Sequence, residues 1–244
     1  MAHHYLAEQL GEPAVGDVAV LEGAEARHAV TVSRLAVGER VSLGDGAGLV
    51  VAGEIVSAAP TRVEVAVDAV TRHPRRDPAL VLVQALAKGD RDEAAVQAAT
   101  ELGVDAVVPW QADRSISRWQ GPKVAKGQAR WEAIVREATK QSLRAWIPDV
   151  LPLVSTSQLA RLTAGLRLVV LVPEGSTPLV DLRPDGRDIG LVVGPEGGIS
   201  PSELAALEAA GAELVRMGPE VLRTSTAGPA AIAVLSAALG RWDA

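Results

Sequence analysis

The sequence has no cysteine and no phenylalanine, one tyrosine, two methionines and four histidines in 244 residues. Without cysteine there can be no disulfide, thiolate zinc site, iron–sulfur cluster or cysteine nucleophile. The same absence fits a cytoplasmic protein. His3, His4, His28 and His73 have no metal-ligand spacing, so no metal is expected. No apolar run reaches membrane-spanning length, and "MAHHYLAEQL" lacks a basic segment followed by an apolar one. Neither a membrane anchor nor a secretory leader is therefore expected. GxGxxG and GxxxxGK[ST] are both missing, which weakens the reading as a nucleotide-dependent oxidoreductase on a doubly wound sheet.

What is present is a chain with 48% hydrophobic residues, mostly alanine and valine, enough for a core of small side chains. The net charge of −6 argues against indiscriminate binding to nucleic acid. The charge is unevenly placed: residues 1–71 carry 4 basic and 10 acidic groups, whereas residues 114–144 carry 8 basic and 2 acidic. Around that basic stretch lie Trp110, Trp119, Trp131 and Trp146. Cations interleaved with aromatics suit RNA, by phosphate contact and base stacking. Trp131 and Trp146 read better as core or interface anchors. Trp119, beside Arg118 and the "QGPK" turn, is the stacking candidate.

Residues 1–71 look all-β, with short valine- and isoleucine-rich runs between glycine turns, and predict a small barrel with a short helix near Glu25–Leu35. Residues 72–78 are basic and proline-bearing and form the expected linker. From residue 79 apolar strands alternate with helices, among them a long one over about Pro122–Leu143. That order predicts an α/β domain with a mostly parallel sheet covered by helices on both faces.

"LVVGPEGGIS" (191–200) ends an apolar strand in glycines, and Ser200-Pro201-Ser202-Glu203 then spells a capping box with proline at the first helical position. Taken alone this is equally an ordinary strand-to-helix turn. However, "VPEGS", "GPEGG" and "GPEVLRTSTAG" each follow an apolar strand. If those strands are neighbours, the loops line one crevice at the ligand-binding edge of the sheet. Its donors and acceptors would be mostly backbone groups, with Met217, Leu222 and Ala227 as walls. No lysine lies in the loops, so a purine with a thioether tail suits them better than a polyphosphate.

"LVVGPEGGISPSEL" followed by "VRMGPEVLRTSTAGPAAIAVL", with "REATKQSLRAWIPDV" upstream, resembles the RsmE family of 16S ribosomal RNA uracil-N3 methyltransferases in the SPOUT superfamily. "KGDRDEAAVQAATELGVDAVVPW" and "RHAVTVSRLAVGERVSLGDGAG" extend the likeness over the whole chain. The resemblance implies an RNA-binding PUA-like β-barrel over 1–71 and a SPOUT methyltransferase domain over 79–244 with a C-terminal trefoil knot. It implies S-adenosylmethionine on the three loops, held by Val172, Pro173, Glu174, Gly194, Pro195, Glu196, Gly197, Met217, Gly218, Leu222, Thr224 and Ala227. It also implies a cytoplasmic homodimer acting on 16S rRNA within the 30S subunit, near the decoding centre. Ser225 stands where the family commonly has glutamate.

Methylation of uracil N3 requires loss of its proton and support of the resulting anion in line with the methyl donor. No cysteine adduct is needed, unlike methylation at C5. Arg223 is the first choice for anion support, with a surface or interface ion pair as the plainer alternative. Glu137, Gln141 and Arg144 fall at i, i+4 and i+7 of the long helix. Glu137 and Arg144 are candidate catalytic groups, and Gln141 is a candidate RNA contact, unless this is simply a solvated face. Lys88, Arg114, Trp119, Lys123 and Lys126 are the other RNA candidates. Glu196 is read as ordering its loop in preference to acting as a base. A SPOUT methyltransferase on another RNA and a nonenzymatic dimeric RNA-binding protein are the alternative functions.

Overall fold

The computed structural model describes residues 3–7 and 9–242. Their contacts separate two units, Met1–Arg75 with Thr139–Ile147, and Arg76–Ala138 with Pro148–Ala244.

The first unit contains β1 (His3–Leu6), β2 (Val18–Glu22), β3 (Arg40–Gly44), β4 (Leu49–Ala59) and β5 (Arg62–Arg72). These make a half-barrel sheet in the order β1-β3-β4-β5-β2, with β1 parallel to β3 and the other pairs antiparallel. Side chains alternate between faces along a strand. Accordingly Val41, Leu43, Val51, Ile55, Val63, Val65 and Val67 are all buried in one core. The expected helix is α1 (Gly23–Arg27), which runs into a π-helical turn at His28–Val32.

Residues 139–147 pack with this unit, although the sequence division put them in the C-terminal domain. Trp146 is the anchor. Its Nε1–H donates to the His73 carbonyl at 2.8 Å, and the Arg75 guanidinium lies 4.3 Å from its ring centre. The Gly48 N–H donates to the Ala145 carbonyl and the Ile147 N–H to the Gly46 carbonyl, each at 3.0 Å. Lys140 and Glu25 form a buried ion pair at 3.0 Å.

The second unit contains β6 (Leu80–Ala85), β7 (Ala106–Gln111), β8 (Asp149–Val150), β9 (Val154–Ser155), β10 (Arg167–Leu171), β11 (Thr177–Pro178), β12 (Ile189–Val193) and β13 (Glu213–Arg216). All pairings are parallel, in the order β11-β13-β10-β12-β6-β7-β8, with β9 also on β7. Its helices are α2 (Arg91–Glu101), α3 (Pro122–Gln141, whose last residues count with the first unit), α4 (Thr156–Arg161), α5 (Pro201–Ala209) and α6 (Thr224–Ala238). Every residue of β6 and β12 is buried, as expected for a parallel sheet covered on both faces. Val81, Val83 and Ala85 point into a core with Leu159 of α4 and Leu207 of α5. The alternate residue Leu82 faces Gly228 of α6, which packs with α2 on the other side.

At the start of α2, Asp90 adopts φ 57° and makes no side-chain cap bond. Asp92 accepts from the Ala87 and Glu93 N–H groups instead, at 3.1 and 2.9 Å. At the end of α3, Leu143 takes φ 56°. The Arg144 N–H reaches back to Thr139 O at 3.0 Å and the Leu143 N–H to Lys140 O at 3.2 Å. This 6→1 and 5→2 pair closes the helix. Arg144 therefore lies beyond it and does not share a helical face with Glu137 and Gln141.

Candidate active site

Strands β13, β10 and β12 lie side by side, with Leu171 in register with both Val193 and Val215. The three glycine-bearing loops thus leave the sheet at the same level and on the same edge. They enclose a cavity of about 570 Å³. Its lining includes Val172, Pro173 and Glu174 from the first loop; Gly194, Pro195 and Glu196 from the second; and Met217, Gly218, Leu222, Arg223, Thr224 and Ala227 from the third segment. Gly197 does not line it. Its carbonyl accepts from Arg114 Nη1 at 3.1 Å, and a Cβ there would sit 3.2 Å from Arg114 Cβ.

The loops have little room for change. A Cβ on Gly175 would lie 2.3 Å from the Val215 backbone carbon, and one on Gly194 2.7 Å from Ile199 Cγ1. Two bonds fix the junction of the second and third segments: Thr224 Oγ1 donates to Gly194 O at 2.7 Å and accepts from Gln84 Nε2 at 2.9 Å. The exit of the second loop is fixed by the expected capping box, in which Ser200 Oγ accepts from the Glu203 N–H and Glu203 Oε2 from the Ser200 N–H. Glu203 also takes the Asp113 N–H at 2.9 Å and the Thr156 hydroxyl at 2.7 Å. Burial opposes ionisation of this carboxyl, but its donors outweigh burial and hold it below the usual carboxylate range.

Glu196 accepts from the Lys88 N–H and Arg91 Nη1, both at 2.9 Å. Burial again acts against the charge, and backbone donors together with Arg91 overcome it, so the carboxyl is held below its ordinary value. That commitment ties the second loop to the start of α2.

The loops contain no lysine, yet Arg91, Arg114 and Arg223 all line the cavity. Arg91 is brought in by its pair with Glu196, more than a hundred residues away, and nothing local in the sequence marks it. Among the described residues, Arg223 has no hydrogen-bond or ion-pair partner for its guanidinium, and Glu174 and Glu220 have none for their carboxylates. The apolar walls, the backbone-rich loops and these free acids suit a ligand that is part purine, part aliphatic and positively charged at its centre.

Glu137, Gln141 and Arg144 do not line the cavity. Lys88 and Trp119 border a second hollow of about 350 Å³ with Trp131, Asp90, Glu93 and Arg130. Trp119 is half-buried, edge-on to Trp131 with ring centres 5.4 Å apart. Trp110 and Trp131 belong to the core. The basic stretch is partly consumed: Arg130 pairs with Glu93, Lys140 with Glu25, and Arg118 caps the Asp113 carbonyl. Lys123 and Lys126 are exposed at the start of α3, and no described residue pairs with either. Among the described residues no cluster of three or more potential ligand side chains could hold a metal, and no helix is long and apolar enough to cross a membrane.

Residues 75–236 match a family model described as an RNA methyltransferase domain, and residues 21–68 match one described as an RNA methyltransferase PUA domain. The ribosomal RNA small subunit methyltransferase E of Mycobacterium tuberculosis is 43% identical over 238 residues, covering 95% of this chain and 91% of the relative. The Bacillus subtilis protein of the same name is 32% identical over 226 residues, 88% of each. The crystal structure of the Neisseria gonorrhoeae protein of that name, bound to S-adenosyl methionine, superposes with a TM-score of 0.85 at 28% identity, covering 97% of this chain and 98% of that one.

Proposed function

The chain belongs to the ribosomal RNA small subunit methyltransferase E family, S-adenosylmethionine-dependent enzymes of ribosomal RNA, and from that premise we propose that its methyl acceptor is N3 of a uridine in 16S rRNA. The acceptor lies near the decoding centre, within the 30S subunit. The observation that carries this reading is the convergence of three loops on one cavity with an unpaired arginine in its wall.

The loop residues Val172, Pro173, Glu174, Gly194, Pro195, Met217, Gly218, Leu222, Thr224 and Ala227 would hold S-adenosylmethionine, which when bound supplies the methyl group from its sulfonium. Glu174 and Glu220 complement its positive charge. As the N3 proton passes to water, negative charge spreads to N3 and the two flanking carbonyl oxygens of the uridine. The Arg223 guanidinium can donate two aligned N–H groups to one of those oxygens, which a lysine cannot, and leave N3 open to the methyl donor. Of the candidate catalytic residues only Arg223 is assigned this step, because Glu137 and Arg144 lie outside the cavity lining. Glu196 orders its loop and does not serve as a base. Lys123 and Lys126 contact the RNA phosphates, and Lys88 and Trp119 contact nucleotides beside the second hollow.

The C-terminal part of the parallel sheet is a SPOUT-type trefoil knot, and the protein works as a cytoplasmic homodimer. Val221, 78% exposed beside Leu222 in the third segment, is apolar surface that a second copy would cover. Isothermal calorimetry with S-adenosylmethionine tests the cavity. Wild-type protein binds, and Gly194→Val, which forces a branched side chain against Ile199, weakens binding by at least about tenfold. Equal affinity in a folded Gly194→Val protein would remove the cofactor from this cavity.

A further inference from the structure

β6 reads LVLVQA, and its fifth residue breaks an otherwise apolar strand. Gln84 has no exposed surface, and an amide buried where leucine would fit is costly unless its groups are bonded. Its Nε2 gives one hydrogen to Thr224 Oγ1 at 2.9 Å and one to the Ala85 carbonyl at 3.1 Å, while Oε1 has no partner. A residue kept only to fill the core would not leave an acceptor orphaned.

The bonds have a direction. Gln84 donates to the Thr224 hydroxyl, so the single Thr224 proton is left to point at Gly194 O, which it reaches at 2.7 Å. Gly194 opens the second loop of the cavity, and Thr224 starts α6 at the end of the third segment. The amide therefore fixes, from the middle of the sheet, the joint between two of the three ligand-facing segments. We propose that Gln84 is a positioning residue: acting through Thr224, it sets the Gly194 carbonyl and with it the cofactor-binding conformation of the second loop. The link to cofactor affinity rests on the reading of the cavity as the S-adenosylmethionine site.

Gln84→Met keeps the reach of the side chain and removes the amide. The melting temperature should hold or rise, because the orphaned acceptor is gone. The Kd and KM for S-adenosylmethionine should rise about tenfold, or about 1.4 kcal/mol, with kcat within about twofold of wild type. In a Thr224→Val background, Gln84→Met should add nothing further, since the two residues act in one chain. In the cofactor-free protein, exchange of the Gly198 N–H, which bonds to Pro195 O within the loop, should become faster. Wild-type affinity in Gln84→Met, or an undiminished effect in the Thr224→Val background, would overturn the relay. Unchanged Gly198 exchange would do so by itself. If wild-type protein did not bind S-adenosylmethionine, the cavity reading would fail, and the exchange measurement would still decide the relay.

Discussion

Replacing Glu203 by glutamine changes one oxygen to an amide nitrogen in a site that has only donors around it. Glu203 is 3% exposed. Oε1 accepts the Asp113 N–H and the Thr156 hydroxyl, and Oε2 accepts the Ser200 N–H at 3.0 Å. Glutamine can keep the first pair as neutral bonds, but its NH2 then faces the Ser200 N–H, donor against donor. Bonds to a charged acceptor contribute about 1.5–3 kcal/mol each, and a buried unsatisfied donor costs about 1–3 kcal/mol. Stranding one donor and turning two charged bonds into neutral ones amounts to at least about 3 kcal/mol. For a chain of this size that lowers the melting temperature by about 6–12 °C. The sign with pH follows from the depressed folded pKa. The carboxylate stabilises the fold above its unfolded value of about 4.3 and loses that contribution as pH falls through the lower folded value. Thermal melts of wild type and Glu203→Gln from neutral to acid pH check both points. The difference should be full at neutral pH and shrink on acidification. A difference below about 1 °C at neutral pH, or one that grows in acid, would refute the reasoning.

The other predictions concern turnover and RNA. Arg223→Ala should lower single-turnover methylation of 30S subunits by about 10²–10³ with cofactor affinity kept, Arg223→Lys should recover part of it, and higher pH should partly rescue the alanine variant. Loss of cofactor affinity alone would make Arg223 a loop residue. Changing Lys123 and Lys126 together to glutamate should weaken RNA binding and flatten its salt dependence while leaving S-adenosylmethionine binding intact. Unaltered RNA affinity would move the RNA surface away from the start of α3.

Much of the site was readable because it is made of local signals. Apolar strands ending in glycine, and Ser200 with Glu203 three residues on, place a strand, a loop and a helix without long-range information. What local signals cannot carry is pairing across the chain. Arg91 looks like one more charge at the start of a helix, and only its contact with Glu196 brings it to the cavity. Gln84 reads as a variant of a core strand until Thr224 is set against it. α3 ends at Gln141, two residues before the expected Leu143, because Leu143 takes the left-handed conformation usually left to glycine. That single residue removes Arg144 from the face it was expected to share with Glu137. The packing of residues 139–147 with the first unit depends on Trp146 meeting His73 and Arg75, for which the segment's composition gives no cue.

The central claim is tested most directly by the modified nucleoside itself. 30S subunits from cells lacking this methyltransferase would be incubated with the purified protein and S-adenosylmethionine, and their 16S rRNA digested and mapped by mass spectrometry. The account predicts one added methyl group, recovered as 3-methyluridine near the decoding centre. A methyl group on C5, on a ribose hydroxyl or on another nucleotide, or no transfer at all, would contradict it.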